Sequence, residues 1–246
     1  NEVQSYILTG FDLDILTASM QNVPAATIQS IDRSSNPVIV SATGKSVRER
    51  LLLLKEVIFV DLRSEPHTEI NIIGYNRSFN GINAVDYSIP AANGKNIVVG
   101  VKEQKMEETD LDLYKRVKPS TIAAAAITNH ATVIASIIGG AGNSFYDGRG
   151  IANGCNFFPS SFDNLFADDA SILHANKVTV QNHSYGPIVQ QFYGAEALSY
   201  DALTWLNKNY IPVFSAGNQG MASATDGQYA NISGYANLTG NFKMAK

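Results

Sequence analysis

Apolar positions change their period repeatedly over the first sixty residues. "SYILTGF" (5–11) reads as a strand, and "DLDILTASMQ" (12–21) places Leu13, Leu16 and Met20 on one helical face. "ATIQSID" and "PVIVSAT" flank the turn-forming "RSSN", the pattern of a hairpin. In "SVRERLLLLKE" a capping box of Ser46 with Glu49 predicts a helix start, and Val47, Leu51 and Leu54 follow at i, i+4 and i+7. "VIFVDLR" closes the set as a strand. The predicted order β-α-β-β-α-β is the split βαβ, ferredoxin-like arrangement of a small α+β unit, residues 1–66.

Periodicity then lapses from Ser64 to Asn96, and residues 67–94 are expected to be a linker and lead-in. Beyond it, short β-branched runs alternate with helical stretches: "NIVVGV" (96–101), the small-residue helix after His130, "KVTVQNHS" (177–184), "AEALSYDALTWLNKN" and "IPVFSAGN" (211–218). Near-continuous apolar strands spaced by helices predict a parallel sheet covered on both faces. The expected fold class is therefore α/β, an incomplete doubly wound parallel sheet over residues 95–246 behind the α+β unit. Ligands of such sheets sit beyond the carboxyl ends of the strands. That rule points to Glu103, to Asn182–Gly186 and to Gly217–Gly220.

Composition narrows the function classes. The 246 residues are 45% hydrophobic and 16% charged, enough to bury a real core. The net charge of -4 has no basic stripe, which argues against a nucleic-acid surface. No apolar run approaches the roughly 20 residues needed to cross a bilayer. The single cysteine, Cys155, lacks both a disulfide partner and zinc-site spacing, and reads as a small buried hydrophobe. Asn1 opens no signal peptide, so the start fits a cytosolic chain without its Met or a processed one.

The strand ends carry a resemblance. "VGVKEQKMEETDLDL", "HATVIASIIGG", "GIANG", "VQNHSYG" and "PVFSAGNQG" resemble the successive motif blocks of the subtilisin-like serine proteases, in that family's order over residues 95–220. The first unit resembles the inhibitor-like propeptide of the same family. The resemblance implies acyl transfer, in which a carboxylate orients a histidine that deprotonates a serine. His130 matches the catalytic histidine, with Ala131 where the family has Gly, Thr132 kept, and Val133 for its second His. Glu103 stands where the family has the triad aspartate, with Gln104 and Lys105 following, and "TDLDLYKR" fixes the register. Glutamate is one methylene longer than aspartate. Asp110 or Asp112 is the alternative orienting acid.

Asn218 in "SAGNQG" matches the oxyanion-hole asparagine, and the resemblance implies that Ala216 and Gly217 before it bind substrate. Ser184, Tyr185 and Gly186 match the substrate-binding strand, where an extended peptide would add as a further strand. His183 is expected to point away from the substrate, and His67 and His174 carry no partner signal. The family's Gly-Thr-Ser-Met-Ala nucleophile block does not occur before Lys246, and Ser223 follows Asn218 too closely to replace it. The nucleophile is therefore expected in sequence beyond residue 246, on the same or a second chain, and residues 1–246 alone are expected to be inert.

Three readings follow. The first is a serine endopeptidase that acts on polypeptides, is exported, and carries its propeptide domain. The second is a pseudoprotease serving as a binding or carrier domain. The third is an α/β domain that binds a small ligand, disfavoured because no Gly-x-Gly-x-x-Gly turn is present. Calcium is usual in the family, but no ligand set can be carried over to this sequence.

Overall fold

The structure, a computed structural model, describes residues 2–33, 36–63, 67–68, 77, 80–144, 148–186, 193–215 and 231. The first unit contains β1 (Val3–Gly10), α1 (Leu13–Met20), β2 (Ala26–Ile31), β3 (Pro37–Thr43), α2 (Gly44–Glu49) and β4 (Val57–Leu62). Its four strands form an antiparallel sheet in the order β2-β3-β1-β4. The two-residue side-chain period divides the sheet's faces. Leu8, Val38 and Val40 join Leu16 and Met20 of α1 and Val47 of α2 in one core. Ile7 and Ile39, one residue out of phase, pack the opposite face with Phe59 against Phe166 and Ala195 of the second unit.

Helix α1 starts where Asp12 accepts from the main-chain N–H groups of Asp14 and Ile15. The second helix starts three residues earlier than the Ser46–Glu49 capping box predicts. Thr43 is its N-cap, accepting from the Ser46 N–H, while the Ser46 hydroxyl donates inward to Pro24 O. Serine can serve as a cap or back-bond within a turn, and here the strand end at Thr43 decides between them.

The second unit is a parallel sheet of β6 (Val98–Glu103), β7 (Asn156–Ser161), β8 (Val178–His183) and β10 (Ile211–Phe214), ordered β10-β8-β6-β7. Helix α4 (Asn129–Gly139) covers one face, where Ala131, Ile134 and Ala135 meet Val99, Val101 and Phe157. On the other face, α5 (Ala170–Ala175) and α6 (Ala195–Leu206) supply Leu173, Ala197, Tyr200 and Leu203 against Val98, Phe158 and Val178. This is the expected α/β fold, and the first sixty residues keep a sheet of their own. Strand β7 and helix α5 escape the sequence reading. Pro159 argues against a central strand, and β7 accommodates it at the edge of the described sheet.

The segment expected as a linker contains α3 (Ile82–Ser88), and Arg77 donates from Nη1 to the carbonyls of Arg149 and Gly150. Ahead of it, β5 (His67–Thr68) pairs antiparallel with β9 (Tyr185–Gly186).

The small residues of α4 let its backbone press on β7. A Cβ at Gly139 would lie 2.6 Å from Cys155 Sγ, 2.8 Å from Ala152 O and 2.9 Å from Phe157 Cζ. Gly139→Ala should therefore cost about 1–3 kcal/mol by overpacking, read as a lower midpoint in urea unfolding. An unchanged midpoint would show that the helix can move away freely.

Candidate active site

Strand β6 is buried at all six positions, so its period of two delivers side chains to both faces. Val99 and Val101 face α4, and Glu103 follows them in phase at the carboxyl end, fully buried. The chain beyond is zipped to the lead-in of α4. Lys105 N–H donates to Ala126 O and Thr128 N–H to Lys105 O, and the Glu107 N–H reaches the Thr132 hydroxyl at 2.9 Å. Thr128 then caps α4, accepting from the Ala131 N–H at 3.2 Å. Those bonds place His130, in the first turn, over the end of β6. Its Nδ1 lies 3.1 Å from Glu103 Oε2.

A carboxylate only accepts, so Nδ1 carries the proton and donates it to Glu103, which leaves the lone pair on Nε2. Nε2 is buried and meets no hydrogen-bond partner among the described residues. A histidine fixed at one nitrogen with a basic lone pair at the other is the arrangement a general base requires. The alternative acids are committed elsewhere. Asp112 accepts from the Asn143 and Ser144 N–H groups, and Asp110 from the Asp112 N–H at 2.8 Å.

Ser184, Tyr185 and Gly186 follow β8 on the same edge of the sheet. The Ser184 hydroxyl accepts from Asn182 Nδ2 at 2.9 Å. Tyr185 turns its side chain into the core, where its hydroxyl meets His183 Nδ1 at 2.9 Å and Tyr200 Oη at 3.3 Å. What Tyr185 and Gly186 present outward is their main chain, and it is paired in register with Thr68 and His67. The partner of that strand in this structure is a segment of the same chain. His183 is fully buried, and burial, reinforced by the charge of Lys102, holds its imidazole well below the usual histidine range. Ala216, Gly217, Asn218 and Ser223 lie outside the described residues.

The opposite face of β6 holds a buried polar cluster that the sequence reading missed. Lys102, out of phase with Glu103, is fully buried, and its Nζ donates to Asp168 Oδ1 at 2.6 Å and to Phe166 O at 2.5 Å. Gln181 Nε2 donates to Asp168 Oδ2 at 2.7 Å and to Ser160 Oγ at 3.0 Å, and the Tyr210 hydroxyl donates to Gln181 Oε1 at 2.5 Å. The available signal was Lys102 itself, a charge inside a strand that is apolar on both faces.

The family model of the S8 peptidases, the subtilase family, matches residues 94–240. The chain belongs to the subtilase family. Among solved structures this subtilase is similar to fervidolysin from Fervidobacterium pennivorans, a keratinolytic enzyme related to subtilisin. That likeness has a TM-score of 0.62 and 17% identity, and covers 94% of this chain and 41% of the other. It is also similar to the epidermin leader peptide processing serine protease of Staphylococcus aureus, with a TM-score of 0.57, 12% identity, and 90% and 61% covered. At these identities the likeness is one of fold, and the chain spans about two-fifths to three-fifths of those structures. No curated protein matches it. Among the described residues of this subtilase no group of three His, Cys, Asp or Glu fits a metal ion, and no helix is long and apolar enough to cross a membrane.

Within a buried pair, loss of one partner leaves the other charge unanswered. Asp168→Asn should therefore destabilise the chain by about 3–5 kcal/mol in urea unfolding, whereas Lys102→Met with Asp168→Asn should recover much of the loss. A double variant no better than the single would contradict this pairing.

Proposed function

We propose that this chain is the first unit and the N-terminal part of the catalytic domain of a serine endopeptidase, with Glu103, His130 and Asn218 as its catalytic residues. The observation that carries the reading is the Glu103–His130 contact, which leaves a buried Nε2 lone pair at the carboxyl edge of a subtilase sheet. In this reading His130 removes the proton of a serine hydroxyl through Nε2 as the oxygen attacks the scissile carbonyl, and later returns it to the leaving amine. Glu103 stays ionised, holds the Nδ1 proton and stabilises the imidazolium. The Asn218 amide donates to the oxyanion of the tetrahedral intermediate, and Ala216 and Gly217 bind the substrate beside it.

The substrate is a polypeptide. It is bound in extended form through the main chain of Ser184, Tyr185 and Gly186. The pairing of β5 with β9 supports this, because that strand already accepts an added antiparallel partner. It also supports residues 1–66 as an inhibitor-like propeptide domain, with residues 67–94 as the lead-in, whose first residues lie at the substrate position, to a catalytic domain that begins near residue 95. The nucleophile serine is supplied by sequence beyond residue 246, so residues 1–246 alone are inactive. The protein is exported, as propeptide-bearing relatives mostly are.

A fluorophosphonate probe applied to the polypeptide extended beyond Lys246 should label one serine, and His130→Ala should abolish the label. Asn218→Ala should lower kcat by roughly 10²–10³ with little change in KM. Glu103→Asp should retain measurable turnover and Glu103→Ala should lose most of it. Absence of label on any serine of the extended protein would favour the pseudoprotease reading, in which the same edge only binds.

A further inference from the structure

The boundary between the two units contains a carboxyl pair that no cation among the described residues answers. Asp61 projects from β4 of the first unit and is 5% exposed. Glu196, the second residue of α6, belongs to the second unit and is fully buried. Both sit beside the apolar contact of Ile7, Ile39 and Phe59 with Phe166 and Ala195. Gly194, the N-cap of α6, provides no side-chain cap, and Asp61 accepts the Ala195 N–H from across the boundary. Among the described residues, Asp61 Oδ2 and both Glu196 carboxyl oxygens meet no hydrogen-bond partner. The Glu196 main-chain N–H faces its own carboxyl group without reaching hydrogen-bond geometry.

The other charged groups lining the adjoining cleft of about 540 Å³ are Asp32, Arg33, Arg63, Asp163, Asp168 and Asp169. Its cations are occupied elsewhere. Arg33 pairs with Asp14, and Arg63 Nη2 reaches Asp163 O at 3.5 Å. Lys102, on the neighbouring strand, pairs with Asp168. Four of the six groups are acidic, so they add to the repulsion and do not relieve it.

We infer that the first unit grips the second through a proton: Asp61 and Glu196 together hold at most one negative charge while the units are docked. A second charge there is buried, repelled by the first and unanswered, so docking weakens once both are ionised. The proton resides on Glu196, because Asp61 has the Ala195 N–H to favour its ionised form. Burial first, and then the charge of Asp61, push the Glu196 carboxyl up to about 7, while burial raises Asp61. A carboxyl raised in the docked form favours docking fully below its ordinary value. That contribution is lost as pH rises from about 4.5 to about 7. The inference needs no assumption about peptidase activity, since it concerns only how the two units hold together.

The test is hydrogen–deuterium exchange of residues 1–246 and of Glu196→Gln, compared at the same pH in peptides covering β4 and the first turn of α6. The two proteins should be nearly equally protected at pH 4, below the ordinary carboxyl value, where the glutamine imitates a protonated glutamate. At pH 8.5 the parent should be at least about tenfold less protected, the change in an equilibrium constant that follows when a carboxyl titrates about one pH unit higher in the docked form. Asp61→Asn, which removes the second charge and leaves the glutamate, should show a smaller fall between the two pH values than the parent. Equal protection of parent and Glu196→Gln at pH 8.5 would overturn the inference. So would protection of the parent at pH 8.5 that calcium restores and a chelator removes, since the pair would then hold a cation in place of the proton.

Discussion

A carboxylate buried at the end of a strand must be answered by a polar group, and in this chain the answer to Glu103 is His130. The rest of the second unit is arranged so that this answer arrives. Burial on both faces fixes the phase of β6, and the phase fixes which face Glu103 takes. The ladder from Lys105 to Thr128 brings the start of α4 over that face, and the Thr128 cap sets which residue occupies the first turn. The small residues of α4 then hold the helix close enough for a 3.1 Å contact. The extra methylene of glutamate, relative to aspartate, is absorbed at the strand end without loss of the hydrogen bond.

The same alternation that favours one contact creates the other. With Glu103 on the α4 face, Lys102 must enter the opposite core, and Asp168, Gln181, Ser160 and Tyr210 surround it with hydrogen-bonding groups. One strand end thus carries a charge on each face, and each is met by partners from a different element. Such clusters cost desolvation and repay it only when complete. Completeness here joins β6, β7 and β8 to the segment before α5, behind the strand whose main chain takes up β5.

Much of this was legible in the sequence because it rests on local pattern. The α+β unit was readable from changes of period, and its strand order agrees with the predicted arrangement. His130 was singled out by its resemblance to the family's histidine block, and Glu103 by its place at a strand end and by the register of the same resemblance. What escaped depended on contacts between distant segments. Strand β7 was concealed by Pro159, which only an edge position accommodates. The pairing of His67–Thr68 with Tyr185–Gly186 joins residues more than a hundred apart and leaves no periodic trace. The same holds for Asp61 and Glu196, which become neighbours only when the two units dock. Tyr185 could be placed at the substrate strand from its motif, but which way its ring turns is decided by Tyr200 and His183.

The central claim is that Glu103 fixes the tautomer of His130 and so leaves the Nε2 lone pair available at the sheet edge. Nitrogen-15 NMR of histidine-labelled protein at neutral pH reads this directly. The account predicts a protonated Nδ1 and an unprotonated Nε2 for His130, with that preference lost in Glu103→Ala. A proton on Nε2, or rapid exchange between the two tautomers in the parent protein, would contradict it.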